Sequence, residues 1–405
     1  MLRGKHVLLG ISGSISAYKM AGLASMLAKA GADTRVIMTK NACQFISPVV
    51  FDTLTGHRTV LDDFDRTNDS PVEHIDLPRQ ADVFLVAPAS ADIIAKAANG
   101  IADDMLSSAI VAAYSCPLLI SPAMNVHMFE NPAVQENLRR LSDRGWQVVS
   151  PGSGFLACGE TGSGRLPEPE ELFDWLEMTC GAEKDLRGKK VLVTAGATRE
   201  AIDPVRFITN HSTGKMGVAL AEAAARRGAE VTLVAADMRV EAPRFVNTVR
   251  VVSAEDMFQA VTSVSDAQDI IIMAAAVADF RPETVADQKI KKKNAGDENA
   301  LKLTRTRDIL AHLGSIKREG QFLCGFAMET EHLIENASEK LKKKNADMIV
   351  ANSLRTAGAG FGTDTNIVTF LKPEGTTELP ILQKSEVADR ILDEIVKGRK
   401  NSIVD

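Results

Sequence analysis

Residues Gly188 to Gly196 read GKKVLVTAG, and residues Gly4 to Gly10 read GKHVLLG. The pattern of a Gly, two basic residues, a short Val/Leu run and then small residues is the opening of the chain, repeated in mid-sequence. A buried strand that runs into small residues and then a helix is how a doubly wound α/β domain begins, with its ligand at the end of that strand. Two such openings predict an α/β protein of two tandem doubly wound, Rossmann-like domains with mainly parallel sheets, over 1–187 and 188–405. The length agrees, because a chain of 405 residues exceeds what one core usually organises.

Bulk properties narrow the function classes. A net charge of −6 argues against a surface built to hold nucleic acid, although local basic clusters can still bind phosphates. Five scattered cysteines without a CxxC pair are neither a disulfide framework nor a zinc site, and they fit a reducing compartment. The longest apolar run, Ile270 to Ala278, is about half of a membrane span. A strand-like opening leaves no room for a signal peptide. The expectation is a cytoplasmic protein with no membrane or nucleic-acid partner.

In the first half, Val7 to Leu9 enters the small-residue turn Gly13-Ser14-Ile15, and a helix follows from Tyr18 to Lys29. Such turns bring backbone N–H groups to a phosphate at a helix N-terminus. The spacing is not GxGxxG, and a tight turn needing small residues explains the run equally well. Val83 to Val86 is a second buried strand, with Ser90 placed to cap the helix after it. Glu73 to Leu77 alternates polar and apolar residues, which places His74 near a strand edge. Asn125 lies just past the strand Leu118 to Ile120, where open α/β sheets put ligand groups. A plain turn, with Met124 and Met128 filling core, accounts for the same residues. Gly152 to Gly164 (GSGFLACGETGSG) is too glycine-rich for a packed element and reads as a binding loop, with Cys158 at its centre.

In the second half, Ser212-Thr213-Gly214 opens an Ala/Leu helix over Val218 to Arg227 and is again an anion seat. The Lys215 that follows suggests a P-loop, but the remaining P-loop residues are absent. Strand Ile270 to Met273 ends in Ala274-Ala275-Ala276, where small residues let a flat base lie on the backbone, and Asp279 is placed to accept from a hydroxyl or amino group. Close strand–helix packing is the plainer reading. The basic run at Lys289 and a helix from Glu331 to Asn345, with Lys340 and Lys344 on one face, together point to a compact polyanion such as a nucleoside triphosphate. Gly358 to Gly362 is a glycine-rich stretch suited to covering it.

His74, the PAMN run at Pro122 to Asn125 and the ACGETGSGR run at Ala157 to Arg165 together resemble the flavin-dependent cysteine decarboxylases of the phosphopantothenoylcysteine type. Phe129 stands where that family has Trp, which keeps an aromatic ring. The resemblance implies FMN bound by Gly13, Ser14, Ile15, Thr39, Ser90, Ala91 and Ala123. It also implies oxidative decarboxylation of a C-terminal cysteine, with His74 and Asn125 gripping the carboxylate and Cys158 donating a proton.

DPVRFITNHSTGKMG (Asp203 to Gly217), AAAVADFR, KIKK and GFAMET resemble phosphopantothenoylcysteine synthetases of the bacterial, CTP-using kind. The chain is thus similar, end to end, to the fused bifunctional enzymes of coenzyme A biosynthesis. This second resemblance implies CTP held by Met273, Ala274, Ala275, Asp279, Lys289, Arg307, Asp308, Ile309, Leu310, Phe326, Lys340 and Lys344. Lys289 would stabilise charge at the α-phosphate, while Arg206 and Asn210 hold an acyl-cytidylate that L-cysteine attacks. The relatives carry Pro at the position of Arg307. Mg²⁺ is expected with the triphosphate, with no ligand set legible. 4′-Phosphopantothenate, L-cysteine and CTP are the implied small-molecule partners, and a homo-oligomer, a dodecamer, the implied assembly. A flavin-binding regulatory protein that has lost one or both activities is the alternative. A nicotinamide dehydrogenase is disfavoured by the missing dinucleotide spacing.

Overall fold

The computed structural model describes residues 2–65, 70, 72–155, 161–290, 300–329, 333–353 and 362–401. The chain divides into two compact units, Met1–Ala182 and Glu183–Asp405. Residues just before Arg187 are tied to the second unit: Leu186 is buried and its N–H donates to Arg227 O at 3.0 Å, and Asp185 accepts from the Arg227 guanidinium.

The first unit is built on strands β1 (His6–Ile11), β2 (Asp33–Met38), β3 (Val83–Ala89), β4 (Leu118–Pro122) and β5 (Gln147–Val148), in the all-parallel order β2-β1-β3-β4-β5. Its principal helices are α1 (Lys19–Lys29), α2 (Glu73–Gln80), α3 (Ala91–Asn99) and α4 (Pro169–Cys180). The two-residue period of the strands sorts side chains between two cores. Val7, Leu9, Val83 and Leu85 face α1 and α4, while Leu8, Phe84 and Val86 face α2 and α3. Strands buried on both sides read as continuous apolar runs, which is why the sequence exposes them so plainly.

The second unit carries β6 (Lys190–Ala195), β7 (Glu230–Ala235), β8 (Asn247–Arg250), β9 (Ile270–Met273), β10 (Phe322–Glu329), β11 (Met348–Ser353), β12 (Val368–Lys372) and β13 (Gly375–Glu378). The sheet order is β8-β7-β6-β9-β10-β11-β12-β13, parallel through β11 and antiparallel beyond it. Its first six strands follow the 3-2-1-4-5-6 order of dinucleotide folds. Helices α5 (Lys215–Arg226), α6 (Ala254–Ser265), α7 (Ile309–Ile316), α8 (Leu333–Lys343) and α9 (Lys384–Asn401) flank it. On α8 Ala337 and Leu341 are buried.

Two expectations are corrected. His74 is not at a strand edge: Glu73–Gln80 is helix α2. A five-residue alternation is too short to choose a period, and Leu77, buried in the core between α2 and the sheet, decides for the helix. The glycine-rich stretch after Gly152 is not a loop throughout. Gly152–Phe155 and Thr161–Arg165 pair as an antiparallel hairpin. The glycines serve close approach there, since a Cβ at Gly162 would stand 2.6 Å from Val126 Cγ2 and one at Gly164 (φ 139°) 2.4 Å from Met124 O.

Candidate functional sites

In the first unit the strand order reverses between β1 and β3, the switch point at which such sheets bind ligands and at which flavodoxin-like sheets hold FMN. The loops leaving both strands are bolted together there. Ser12 Oγ donates to Pro88 O at 2.7 Å and accepts from Ser90 N at 2.8 Å. Ser14 caps the short helix Ile15–Tyr18, and Ser90 caps α3 by accepting from Ile93 N at 3.4 Å. Gly13 lies so close to Asn41 that a Cβ would meet Asn41 Cβ at 2.7 Å, which draws in the loop after β2 where Thr39 accepts from Ala42 N. These loops leave Gly13, Ser14, Thr39, Ser90 and Ala91 partly exposed at the carboxyl edge. The arrangement fits a flat, phosphorylated ligand laid across small residues.

Asn125 caps the helix Val126–Glu130, with Oδ1 accepting from His127 N at 2.8 Å. Beside it Met124 N donates to Gly164 O at 3.0 Å, holding the glycine hairpin against the Pro122–Val126 segment. Ala123 is buried under it, Met124 packs against the core, and Met128 is exposed. His74 stands in the first turn of α2 with Nδ1 3.3 Å from Asp63 Oδ1. Cys158 lies outside the described residues.

In the second unit three threonines, Thr194 and Thr198 buried and Thr306 half-buried, fix the floor of the site. Thr194 Oγ1 accepts from Ala275 N and Thr198 Oγ1 from Ala278 N, each at 3.0 Å, and Thr306 Oγ1 donates to Ala278 O at 2.6 Å. The Ala274 to Ala278 run is thereby anchored past the end of β9, at the β6/β9 switch point. A cavity of about 680 Å³ opens above it, within the range of small-ligand sites. Met273, Ala275, Asp279, Arg307 to Leu310, Phe326, Lys340 and Lys344 all line this cavity. Burial pushes the Asp308 carboxyl up, but the Lys344 ammonium, the Ala311 N–H and the nearby Lys340 charge together outweigh that and hold it below its ordinary value. Lys340 Nζ donates to Phe326 O at 2.7 Å, and the Arg307 guanidinium lies 4.7 Å over the Phe258 ring.

An adjoining cavity of about 410 Å³ is lined by Ala274 to Ala276, Asn210 and the Ser212–Met216 turn. Asn210 Nδ2 donates to Ala276 O at 3.3 Å. Gly217, in the first turn of α5, rests directly on β6. Asp203 organises the segment before it. Its carboxylate accepts from the backbone of Val205 and Arg206 at 2.9 Å each, from Ile290 N at 3.2 Å and from the Arg206 guanidinium. The hydrogen bond from that guanidinium chiefly holds Asp203 well below the usual carboxylate range. Among the described residues no group of three or more His, Cys, Asp or Glu side chains could hold a metal ion, and no helix is long and apolar enough to cross a membrane.

Comparison with known proteins bears on both sites. Residues 1–181 match the family described as Flavoprotein, and residues 186–399 match the DNA/pantothenate metabolism flavoprotein C-terminal domain. The chain is 50% identical over 406 residues to the coenzyme A biosynthesis bifunctional protein CoaBC of Bacillus subtilis (strain 168), covering 99% of each chain. The chain belongs to the CoaBC family. It is also 42% identical to the CoaBC protein of Haemophilus influenzae over 402 residues, with 99% and 100% of the two chains covered, and 41% identical to that of Escherichia coli (strain K12) over 396 residues, with 98% and 97% covered.

For a CoaBC-family chain the fold gathers the anticipated residues unevenly. Ten of the positions anticipated for the nucleotide line one cavity, Ala274 and Asn210 line its neighbour, and Arg206 and Lys289 line neither. Lys289 is exposed, next to the Ile290 peptide whose N–H binds Asp203. Sequence reasoning missed Ser12, which bolts the first switch point, and Asn352, Asn366 and Lys384, which line the second cavity. No local motif marks the last three, because they come from separate elements late in the chain.

Proposed function

We propose that the chain carries out two consecutive steps of coenzyme A assembly. The second unit ligates 4′-phosphopantothenate to L-cysteine at the expense of CTP. The first unit decarboxylates the resulting 4′-phosphopantothenoyl-L-cysteine to 4′-phosphopantetheine. The observation that carries this reading is family membership across both units, combined with an intact chemical set: His74, Asn125, Cys158, Asn210 and Lys289 all stand in the sequence. That set speaks against a regulatory flavoprotein of the same fold, since fold alone would not decide.

In the ligase the nucleoside occupies the cavity walled by Phe326, Lys340 and Lys344, with the base against the Ala274–Ala276 backbone. The triphosphate points toward the Ser212–Gly214 turn, where the N-terminal N–H groups of α5 favour an anion. Attack of the pantothenate carboxylate on the α-phosphate builds charge that Lys289 offsets, while Arg206 and Asn210 hold the acyl-cytidylate. Mg²⁺ enters on the phosphates, as it commonly does, and no protein cage for it exists among the described residues.

In the decarboxylase Gly13, Ser14, Ile15, Thr39, Ser90, Ala91 and Ala123 hold FMN at the β1/β3 switch point. When bound, FMN supplies the electron sink without which a carboxylate does not leave as CO₂. His74 and Asn125 orient that carboxylate, and Cys158 delivers the proton. The assembly is a homo-oligomer, a dodecamer, and the protein works in the cytoplasm. The test is incubation with phosphopantothenate, cysteine, Mg²⁺ and either CTP or ATP, with products identified by mass. Formation of phosphopantetheine with CTP supports the reading, and failure to form either product overturns it.

A further inference from the structure

One wall of the cavity beside Asn210 is built from polar residues late in the chain. Asn352 at the end of β11, Asn366 on a short strand and Lys384 at the start of α9 line it, and they are only 5%, 3% and 8% exposed. Polar side chains buried this far must find partners. Asn366 Oδ1 accepts from Ile367 N at 3.1 Å, and Lys384 Nζ donates to Thr363 O at 2.6 Å. Asn352 Oδ1 is buried with no hydrogen-bond partner among the described residues. Burial first, and then the nearby Lys215 ammonium, hold the Lys384 amine below its ordinary pKa. Lys215 itself is engaged with Asp364 Oδ1 at 2.6 Å and Gly362 O at 2.9 Å. The wall therefore offers a buried acceptor with nothing to accept and a cation that an arriving anion would stabilise.

We propose that Asn352 and Lys384 seat the α-amino and α-carboxylate groups of the cysteine that takes the acyl group, an inference that rests on the ligase reading above. A phosphate brings only acceptors and would leave Asn352 Oδ1 unpaired. An amino acid carries an N–H donor and a carboxylate on one carbon, which matches the pair. Asn210 lines the same cavity, so the amine and the acyl-cytidylate share one chamber. With one N–H held by Asn352 Oδ1, the neutral amine keeps its lone pair for the acyl carbon. The C–N bond forms, the C–O bond to the nucleotide phosphate breaks with its electron pair going to the phosphate, and the amine's proton passes to that departing group.

The experiment uses the full-length protein and compares cysteine with cysteamine, which lacks the carboxylate. Loss of a buried charge-assisted contact should raise the KM for cysteine of Lys384→Gln by roughly tenfold to a hundredfold. Turnover of cysteamine should change by less than about threefold, so the preference for cysteine collapses, and Lys384→Arg should restore part of it. Pyrophosphate release from CTP and phosphopantothenate without cysteine serves as the folding control. A raised KM for CTP with the cysteine preference intact would show that this wall holds phosphates and would overturn the inference. Should Lys384→Gln lose the control reaction, Asn352→Ala decides: KM must rise for both amines while pyrophosphate release persists, and an unchanged KM for both refutes the seat. If the unaltered protein releases no pyrophosphate, the ligase reading itself has failed.

Discussion

Gly217 sits where α5 meets the end of β6, and replacing it with Ala tests how tightly the ligase floor is built. A Cβ there would lie 2.6 Å from Ala195 Cβ, 2.8 Å from Thr194 O and 2.9 Å from Ala195 Cα. None of these is the end of a flexible side chain, so the helix must retreat from 2.6 Å to the 3.4 Å at which ordinary contact begins, about 0.8 Å. Overpacking of this kind costs about 1–3 kcal/mol. Ala is favoured over Gly within a helix by up to about 1 kcal/mol, too little to offset the upper part of that range. Gly217→Ala should therefore lower Tm by a few degrees, given about 2–4 °C per kcal/mol for domains of this size. The larger effect is on chemistry. The helix end proposed to seat the phosphates moves by nearly 1 Å, and a misplacement of that size can cost about a hundredfold in rate. The assay is CTP-dependent pyrophosphate release, read beside decarboxylation of supplied phosphopantothenoylcysteine as the internal control. Unchanged ligation and unchanged Tm would refute the close-packing argument, and equal loss of both activities would show that the damage is not local.

Other outcomes are as specific. Lys289→Gln should abolish acyl-cytidylate formation and spare decarboxylation, and equal loss of both in rapid-quench assays would count against separate sites. Cys158→Ser should still consume phosphopantothenoylcysteine but release an oxidised product two hydrogens short, visible by mass. Gly164→Ala, which forces a Cβ to 2.4 Å from Met124 O at a φ of 139°, should slow decarboxylation at least tenfold while leaving ligation intact. The Asp203 carboxylate has its folded pKa depressed, chiefly by Arg206. Its contribution to stability is thus present above the unfolded value near 3.9 and is lost as pH falls through the folded one. The Tm gap between the unaltered protein and Asp203→Asn should be flat from about pH 8 to 5 and shrink only in more acid solution; a gap that shrank between pH 8 and 6 would contradict the assignment.

The sequence by itself carried the architecture, because strands buried on both faces must be apolar throughout and small residues must follow them. β9 runs over the residues its apolar run predicts. Ser90 caps its helix, and Lys340 and Lys344 reach one cavity. What the sequence could not decide were contacts between residues far apart in the chain. Glu73–Gln80 is a helix because Leu77 packs into a core it meets only in three dimensions. The glycines after Gly152 form a hairpin because Val126 and Met124 crowd them. Strand order, and with it the two switch points, exists only once crossovers place β1 beside β3 and β6 beside β9. Asn352 and Lys384 gain meaning only from the cavity they line: a side chain's charge is local, but the cost of burying it is set by everything packed around it.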